Sequence, residues 1–252
     1  MIDEYTEKND WQIRLRDRYI KPFYEQTCKD AKYVFVDGNA RPDTCSYYLQ
    51  KNVGMDTFAM TSKGTSSAID EKIDKHYGSP NFMIETESCT VEGHKKEGWI
   101  YYSLIDLLFY AFVLPEEKGL DLYIIHFRPF QTWFIQTWMP ANGNNIKKNH
   151  IMPDTLNHTK CMKVPIREVT RAMRNTRRFL ITRNGIQLLN TETSIFELDK
   201  MLKNLDLGSC PNVLEATQSE QVQEAQIPAK KTAKKKKTPI PSGQLSIWET
   251  SA

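Results

Sequence analysis

Long hydrophobic runs are missing from this chain of 252 residues. The longest apolar stretch, Leu104–Leu114, is interrupted by Asp106 and falls well short of the roughly 20 residues that a membrane-spanning helix requires. The N-terminus, Met1-Ile2-Asp3-Glu4-Tyr5, has neither a basic start nor an apolar segment, so the expectation is a cytoplasmic protein without a membrane partner. Cysteine is scarce: Cys28, Cys45, Cys89, Cys161 and Cys210 are odd in number, scattered, and form no CxxC pair. That pattern argues against a disulfide framework and against a structural zinc site. The histidines, His76, His94, His126, His150 and His158, show no HExxH or HxH spacing, so a metal site built from imidazole has no support. A strong excess of one charge is also absent. The net charge is +3, whereas a sequence-independent DNA binder is usually more basic, so any nucleic-acid surface has to be a local patch. No internal repeat is present.

What the chain does contain is a charged hairpin. Gly54-Met55-Asp56-Thr57-Phe58-Ala59-Met60-Thr61 and Ala68-Ile69-Asp70-Glu71-Lys72-Ile73 read as two short strands, joined by the Gly/Ser-rich loop Ser62–Ser67. Pairing them brings Asp56 and Asp70 together, and the two-residue period of a strand puts Lys72 on the same face as Asp70. Two carboxylates and an ammonium on one patch suit metal-assisted phosphodiester cleavage. The carboxylates supply hard oxygen ligands for Mg²⁺ or Mn²⁺. The metal stabilises charge on the phosphate, and the lysine orients the attacking water or helps to deprotonate it. The same charges also suit a solvated strand edge, where they discourage edge-to-edge pairing.

The hairpin resembles the core of the PD-(D/E)XK nuclease superfamily, with Asp56 in the place of the first acid and Asp70 and Lys72 in the D-x-K triplet. The words Gln50–Asp56, Ile69–Lys72, Phe82–Glu85 and Gly98-Trp99 are similar to those of bacterial and phage members, and the resemblance covers about residues 45–115. It implies Asp56 and Asp70 as metal ligands, aided by the carbonyl of Glu71, with Lys72 positioning the water. It also implies Glu85 as an additional acid, with Glu87 as the alternative on the same strand. No Pro precedes Asp56. Many members add an acid from the first helix, and Glu4, Glu7 and Glu25 are available for it. Many also cut duplexes as dimers, so a homodimer is among the expected assemblies.

Elsewhere, Asp10–Gln26 reads as a helix with Trp11, Leu15, Tyr19 and Phe23 along one face, and Tyr33–Val36 as a strand. Asn81–Ser88 is expected to continue the sheet. Ile100–Leu114 has an ambiguous period, and Leu120–Phe127 reads as a buried strand. Phe130, Trp133, Phe134 and Trp138 have helical spacing, which suits either packing on a sheet or stacking on bases, core being the commoner use. Asn142–Asn149 is a polar loop. Pro165–Arg178 opens like a helix whose Arg167, Arg171, Arg174 and Arg178 share a face, which makes it either a phosphate-contacting ridge or a solvated surface. Phe179–Thr182 and Ile186–Leu189 form a hairpin about an Asn-Gly turn, and Phe196–Leu207 a last helix.

After Gly208 the composition changes to an acidic segment, Glu215–Glu224, then the run Lys230–Lys237, then Pro239 and Pro241. Such a segment cannot bury enough apolar surface to fold by itself and is expected to be a disordered tether. It ends in Gln244-Leu245-Ser246-Ile247-Trp248, whose apolar residues need a binding partner. The peptide resembles the bacterial sliding-clamp binding motif, with Gln244 as the polar anchor and Leu245, Ile247 and Trp248 as the hydrophobic ones. A long linker would then hold the nuclease near replicating DNA at high effective concentration. The expected organisation is a restriction-endonuclease-like α/β domain over 1–207, with a mixed central sheet flanked by helices, a linker over 208–243 and the clamp peptide over 244–248. The expected function is metal-dependent DNA cleavage at the clamp. The rival is a non-catalytic nucleic-acid or protein-binding module of nuclease-like fold, tethered in the same way.

Overall fold

A computed structural model describes residues 4–36, 44–89, 95–142 and 159–206. The polar loop at 143–149, the linker and the clamp peptide lie outside these residues. The chain opens with α1 (Glu4–Leu15), a wider π-helical turn (Arg16–Ile20) and α2 (Lys21–Thr27). The apolar residues Leu15, Tyr19 and Phe23 recur every four positions, which a pure α-helix would wind gradually off one face. The π turn compensates for that drift, and all three are buried. Strand β1 (Ala31–Phe35), the short helix α3 (Cys45–Tyr48) with its π turn (Leu49–Val53), β2 (Thr57–Thr61) and β3 (Ser66–Asp74) follow.

β1, β2 and β3 form an antiparallel meander, and β6 (Leu107–Val113) then pairs with β3 in parallel. β7 (Gly119–His126), β9 (Arg177–Thr182) and β10 (Gly185–Leu189) complete a seven-stranded mixed sheet in the order β1-β2-β3-β6-β7-β9-β10. The fold is therefore mixed α/β, as the sequence implied. On one face, Leu15, Tyr19, Phe23 and Tyr24 pack against Ile69, Phe109, Leu122 and Phe179. The other face carries a second layer, built from a three-stranded sheet and α5 (Phe127–Trp133) with its π turn (Phe134–Trp138).

That second sheet corrects one expectation. Asn81–Ser88 does form a strand, β4 (Asn81–Cys89), but it pairs with β5 (Lys95–Glu97) and β8 (Lys160–Pro165) rather than extending the main sheet. Two-residue alternation identifies a strand without saying which sheet receives it. The ambiguous Ile100–Leu114 run resolves into α4 (Trp99–Tyr102), a turn, and β6, whose seven residues are all buried between two layers and therefore show no period. The aromatic stripe is core: Phe130, Phe134 and Trp138 are buried, and Trp138 Nε1 donates to Glu168 at 2.9 Å.

The arginine ridge is a second correction. After α6 (Met139–Asn142), the next described helix, α7, spans only Ile166–Ala172, so it carries Arg167 and Arg171 but not Arg174 or Arg178. Met173 leaves helical geometry, the Thr176 amide and hydroxyl both bond the Met173 carbonyl, and β9 begins at Arg177. Arg178 is buried in that strand. Its Nε and Nη2 reach both Asp121 carboxylate oxygens, at 2.8 and 2.9 Å, and it stacks over Tyr123. Its Nη1 donates to the Thr193 carbonyl, tying down the segment that leads to α8 (Ile195–Asp206). Arg178 is thus a structural residue, while Arg167, Arg171 and Arg174 remain exposed. None of the described helices is long and apolar enough to cross a membrane.

Candidate active site

The hairpin brings its acids together where the strand pattern placed them. Gly54, with φ +73°, closes the π turn, and a β-carbon there would collide with the Ser103 hydroxyl. The chain then bends at Asp56, one residue before β2, and the Asp56 amide donates to the Ile69 carbonyl at 2.9 Å. The β2–β3 register pairs Thr57 with Ile69, which sets Asp56 beside Asp70. The Asp56 carboxylate accepts the Glu71 amide through Oδ2 at 2.9 Å. The Asp56 and Asp70 carboxyls lie close enough to share a hydrogen bond once one of them is protonated.

Lys72 donates to Asp70 Oδ1 at 2.7 Å and lies 5.4 Å from the Trp99 ring centroid. The two differ in access: the Asp70 side chain is 1% exposed and that of Lys72 37%, so the site opens to solvent past the lysine. Burial raises the Asp70 carboxyl well above its ordinary range, Lys72 opposes this, and Asp56 adds to it. Burial also works against the Lys72 ammonium, but attraction to Asp70, then Asp56 and Glu85, outweighs it and keeps the lysine charged. A lysine held as an ammonium is a hydrogen-bond donor, not a base. What such a donor can do is hold a water or an anionic oxygen in place.

Glu85 reaches the cluster from β4 of the second sheet. Its charge acts on both Lys72 and Tyr102, another residue at the mouth of the site. Gly98 makes that approach close, because a β-carbon there would overlap the Glu85 carbonyl, and Trp99 follows directly. Glu87, beyond a bulge in β4, is instead ion-paired with Lys160 at 2.7 Å. Of the first-helix acids, Glu25 accepts from Tyr33 on the opposite side of the main sheet from Asp70, and the side chains of Glu4 and Glu7 lie outside the described residues.

Glu71 also points away from Asp70, because strand alternation sends it through the sheet. There its Oε1 accepts from the Thr57 hydroxyl at 2.7 Å and the Tyr24 hydroxyl at 2.9 Å. Burial first, then the Asp56 charge, raises its pKa to about 7. Sequence reasoning considered only the Glu71 carbonyl and missed Tyr24 and Thr57, although alternation alone places residue 71 opposite 70 and 72. A carboxyl whose pKa rises on folding binds more protons in the native state, so stability falls as pH rises from about 4.5 towards 7. Thermal unfolding of the metal-free protein is expected to show this loss, and Glu71→Gln to flatten the Glu71 part of it. An unchanged slope in the variant would place the titration elsewhere.

Among the described residues no three His, Cys, Asp or Glu side chains form a ready-made cage for an ion. The two-carboxylate pair still suits a cation. Asp70 Oδ2 is buried without a hydrogen-bond partner beside the Asp56 carboxyl, and the single Lys72 ammonium leaves the two carboxylates short of positive charge. A hard divalent ion with waters completing its shell fits that donor set. Comparison of the chain with protein-family models, with curated proteins and with solved structures found no match.

Proposed function

We propose that this protein is a metal-dependent nuclease of the restriction-endonuclease-like kind, carried to the replication sliding clamp by its C-terminal peptide. The observation that supports it best is the Asp56–Asp70 pair, one buried oxygen of which has no partner, beside a lysine held charged at a solvent-facing opening. Asp56 and Asp70, with the Glu71 carbonyl, are the residues that would hold Mg²⁺ or Mn²⁺. When bound, the ion supplies Lewis-acid stabilisation of phosphate charge and lowers the pKa of a bound water. Lys72 donates to the water or to a phosphate oxygen, and Trp99 backs its ammonium. Glu85 offsets the lysine charge and orients it from the second sheet. Crowding of the carboxylates favours protons over metal at low pH, so activity should fall on acidification. Arg167, Arg171 and Arg174 are the exposed candidates for DNA phosphates.

The test is incubation of the full chain with single-stranded, duplex and branched DNA in Mg²⁺ or Mn²⁺, beside Asp70→Ala and Lys72→Ala. Cleavage by the wild type alone supports the reading, whereas equal inertness of all three proteins removes it. That second outcome would favour a non-catalytic binding module of the same fold. The clamp proposal rests on Gln244, Leu245, Ile247 and Trp248. Leu245→Ala/Trp248→Ala is expected to weaken capture by a bacterial clamp by roughly thirtyfold, the scale of losing hydrophobic anchors. Unchanged capture would contradict it.

A further inference from the structure

Among the described residues, the second layer covers β3, β6 and β7 but leaves part of the face of β1 and β2 open. Along that face exposure rises with distance from the carboxylates. Val36 and Met55, near Asp56, are buried, whereas Phe58 is 38% exposed, Met60 45% and Val34 65%. These are neighbours rather than scattered residues: Val34 pairs across the strands with Phe58, and Lys32 with Met60. Strand alternation puts Phe58 and Met60 on the Asp56 side of the sheet, since Thr57, Ala59 and Thr61 are buried on the other. Lys32 flanks the strip and Lys63 stands at the hairpin tip, both exposed.

From this strip the geometry points to a platform for unpaired nucleotides adjoining the scissile phosphate, an inference that rests on the nuclease reading above. The distance from Asp56 to Met60 along β2 is roughly 13 Å at strand rise, room for about four stacked bases. A duplex presents phosphates and sugars outward, which give Phe58, Met60 and Val34 nothing apolar to cover. An unpaired strand presents base faces to the aromatic ring and phosphates to the two lysines, which is how sequence-tolerant single-strand sites are built. Phe58 stands two residues from Asp56 along β2 on the same side of the sheet, so a strand lying on the strip leads its backbone towards the carboxylates. The substrate class is thereby single-stranded DNA or RNA, or the frayed end of a duplex.

Phe58 is exposed and outside the charged cluster, so its replacement should leave the fold intact. The experiment measures fluorescence anisotropy of labelled oligo(dT), and of a duplex of the same length, with the full chain in EDTA. It compares wild type, Phe58→Ala and Phe58→Trp. Single-strand affinity is expected to fall about tenfold in Phe58→Ala and to return in Phe58→Trp, with duplex affinity changing less than about twofold. Hydrolysis of bis(4-nitrophenyl) phosphate in Mn²⁺, a diester without bases, should be the same in all three proteins. Unchanged oligo(dT) affinity in Phe58→Ala overturns the platform. So does a wild-type dimer in sedimentation velocity that Phe58→Ala splits without loss of oligo(dT) affinity, which would assign the strip to a second copy of the chain. If no protein hydrolyses the diester while Phe58→Ala still loses oligo(dT), the platform stands and the nuclease reading fails.

Discussion

Asp70→Asn is expected to lower DNA cleavage by a thousandfold or more and yet leave the protein at least as stable as the wild type. The two effects have one origin. Asp70 is buried, one of its oxygens has no partner, and the Asp56 carboxyl abuts it. Stability is therefore lower with the charged carboxylate than with a neutral amide of the same shape, whose NH₂ can donate to Asp56. Lys72 keeps Asp56 and Glu85 as counter-charges. On the nuclease reading proposed above, catalysis moves the other way, because losing a metal ligand forfeits several kcal/mol of Lewis-acid stabilisation, which at tenfold per about 1.4 kcal/mol is roughly a thousandfold. Thermal unfolding in EDTA and cleavage rates in Mg²⁺ measure the two sides separately. A variant that melts well below the wild type would mean that Asp70 is retained for structure.

The second large effect lies two and three strands along the main sheet from Asp70, in β7 and β9. Arg178→Ala is expected to cost about 3–5 kcal/mol, roughly a 10 °C fall in melting temperature, because it leaves Asp121 buried and unpaired. Both side chains are almost wholly buried, and the guanidinium also holds the Thr193 carbonyl. The double replacement Asp121→Leu/Arg178→Met should recover much of that loss, since no uncompensated charge remains. Arg167→Ala, on the exposed face of α7, should leave the melting temperature within about 1 °C. If Arg178→Ala instead melted normally and lost DNA affinity, the ridge suggested by the helical spacing would be restored.

These two residues mark how far the sequence could be read. The hairpin was legible because its signals agree: a turn-forming loop, apolar residues at alternating positions, and charges whose parity places 70 and 72 together. The arginine spacing misled because the period of charges continues across an element boundary, whereas Met173 to Thr176 form a turn and the burial of Asp121 draws Arg178 into a strand. Which sheet receives β4 was not legible, as pairing partners distant in the chain leave no local trace. Glu85 nevertheless comes to the cluster from that separate sheet. Tyr24 was hidden for the same reason, since its hydroxyl reaches Glu71 from a distant helix, whereas Thr57 shares the helix-packed face of the hairpin with Glu71 and was within reach of strand alternation. The first helix was read correctly as to face, though the π turn that keeps its apolar residues aligned was not.

The central claim is that Asp56 and Asp70 form a divalent-cation site, and calorimetric titration of Mn²⁺ into the metal-free full chain tests it most directly. The account predicts saturable binding with release of protons, an affinity that weakens as pH falls, and loss of that binding in Asp70→Asn. Wild-type protein that is folded and shows no saturable Mn²⁺ binding, or an Asp70→Asn variant that binds as the wild type does, would contradict it.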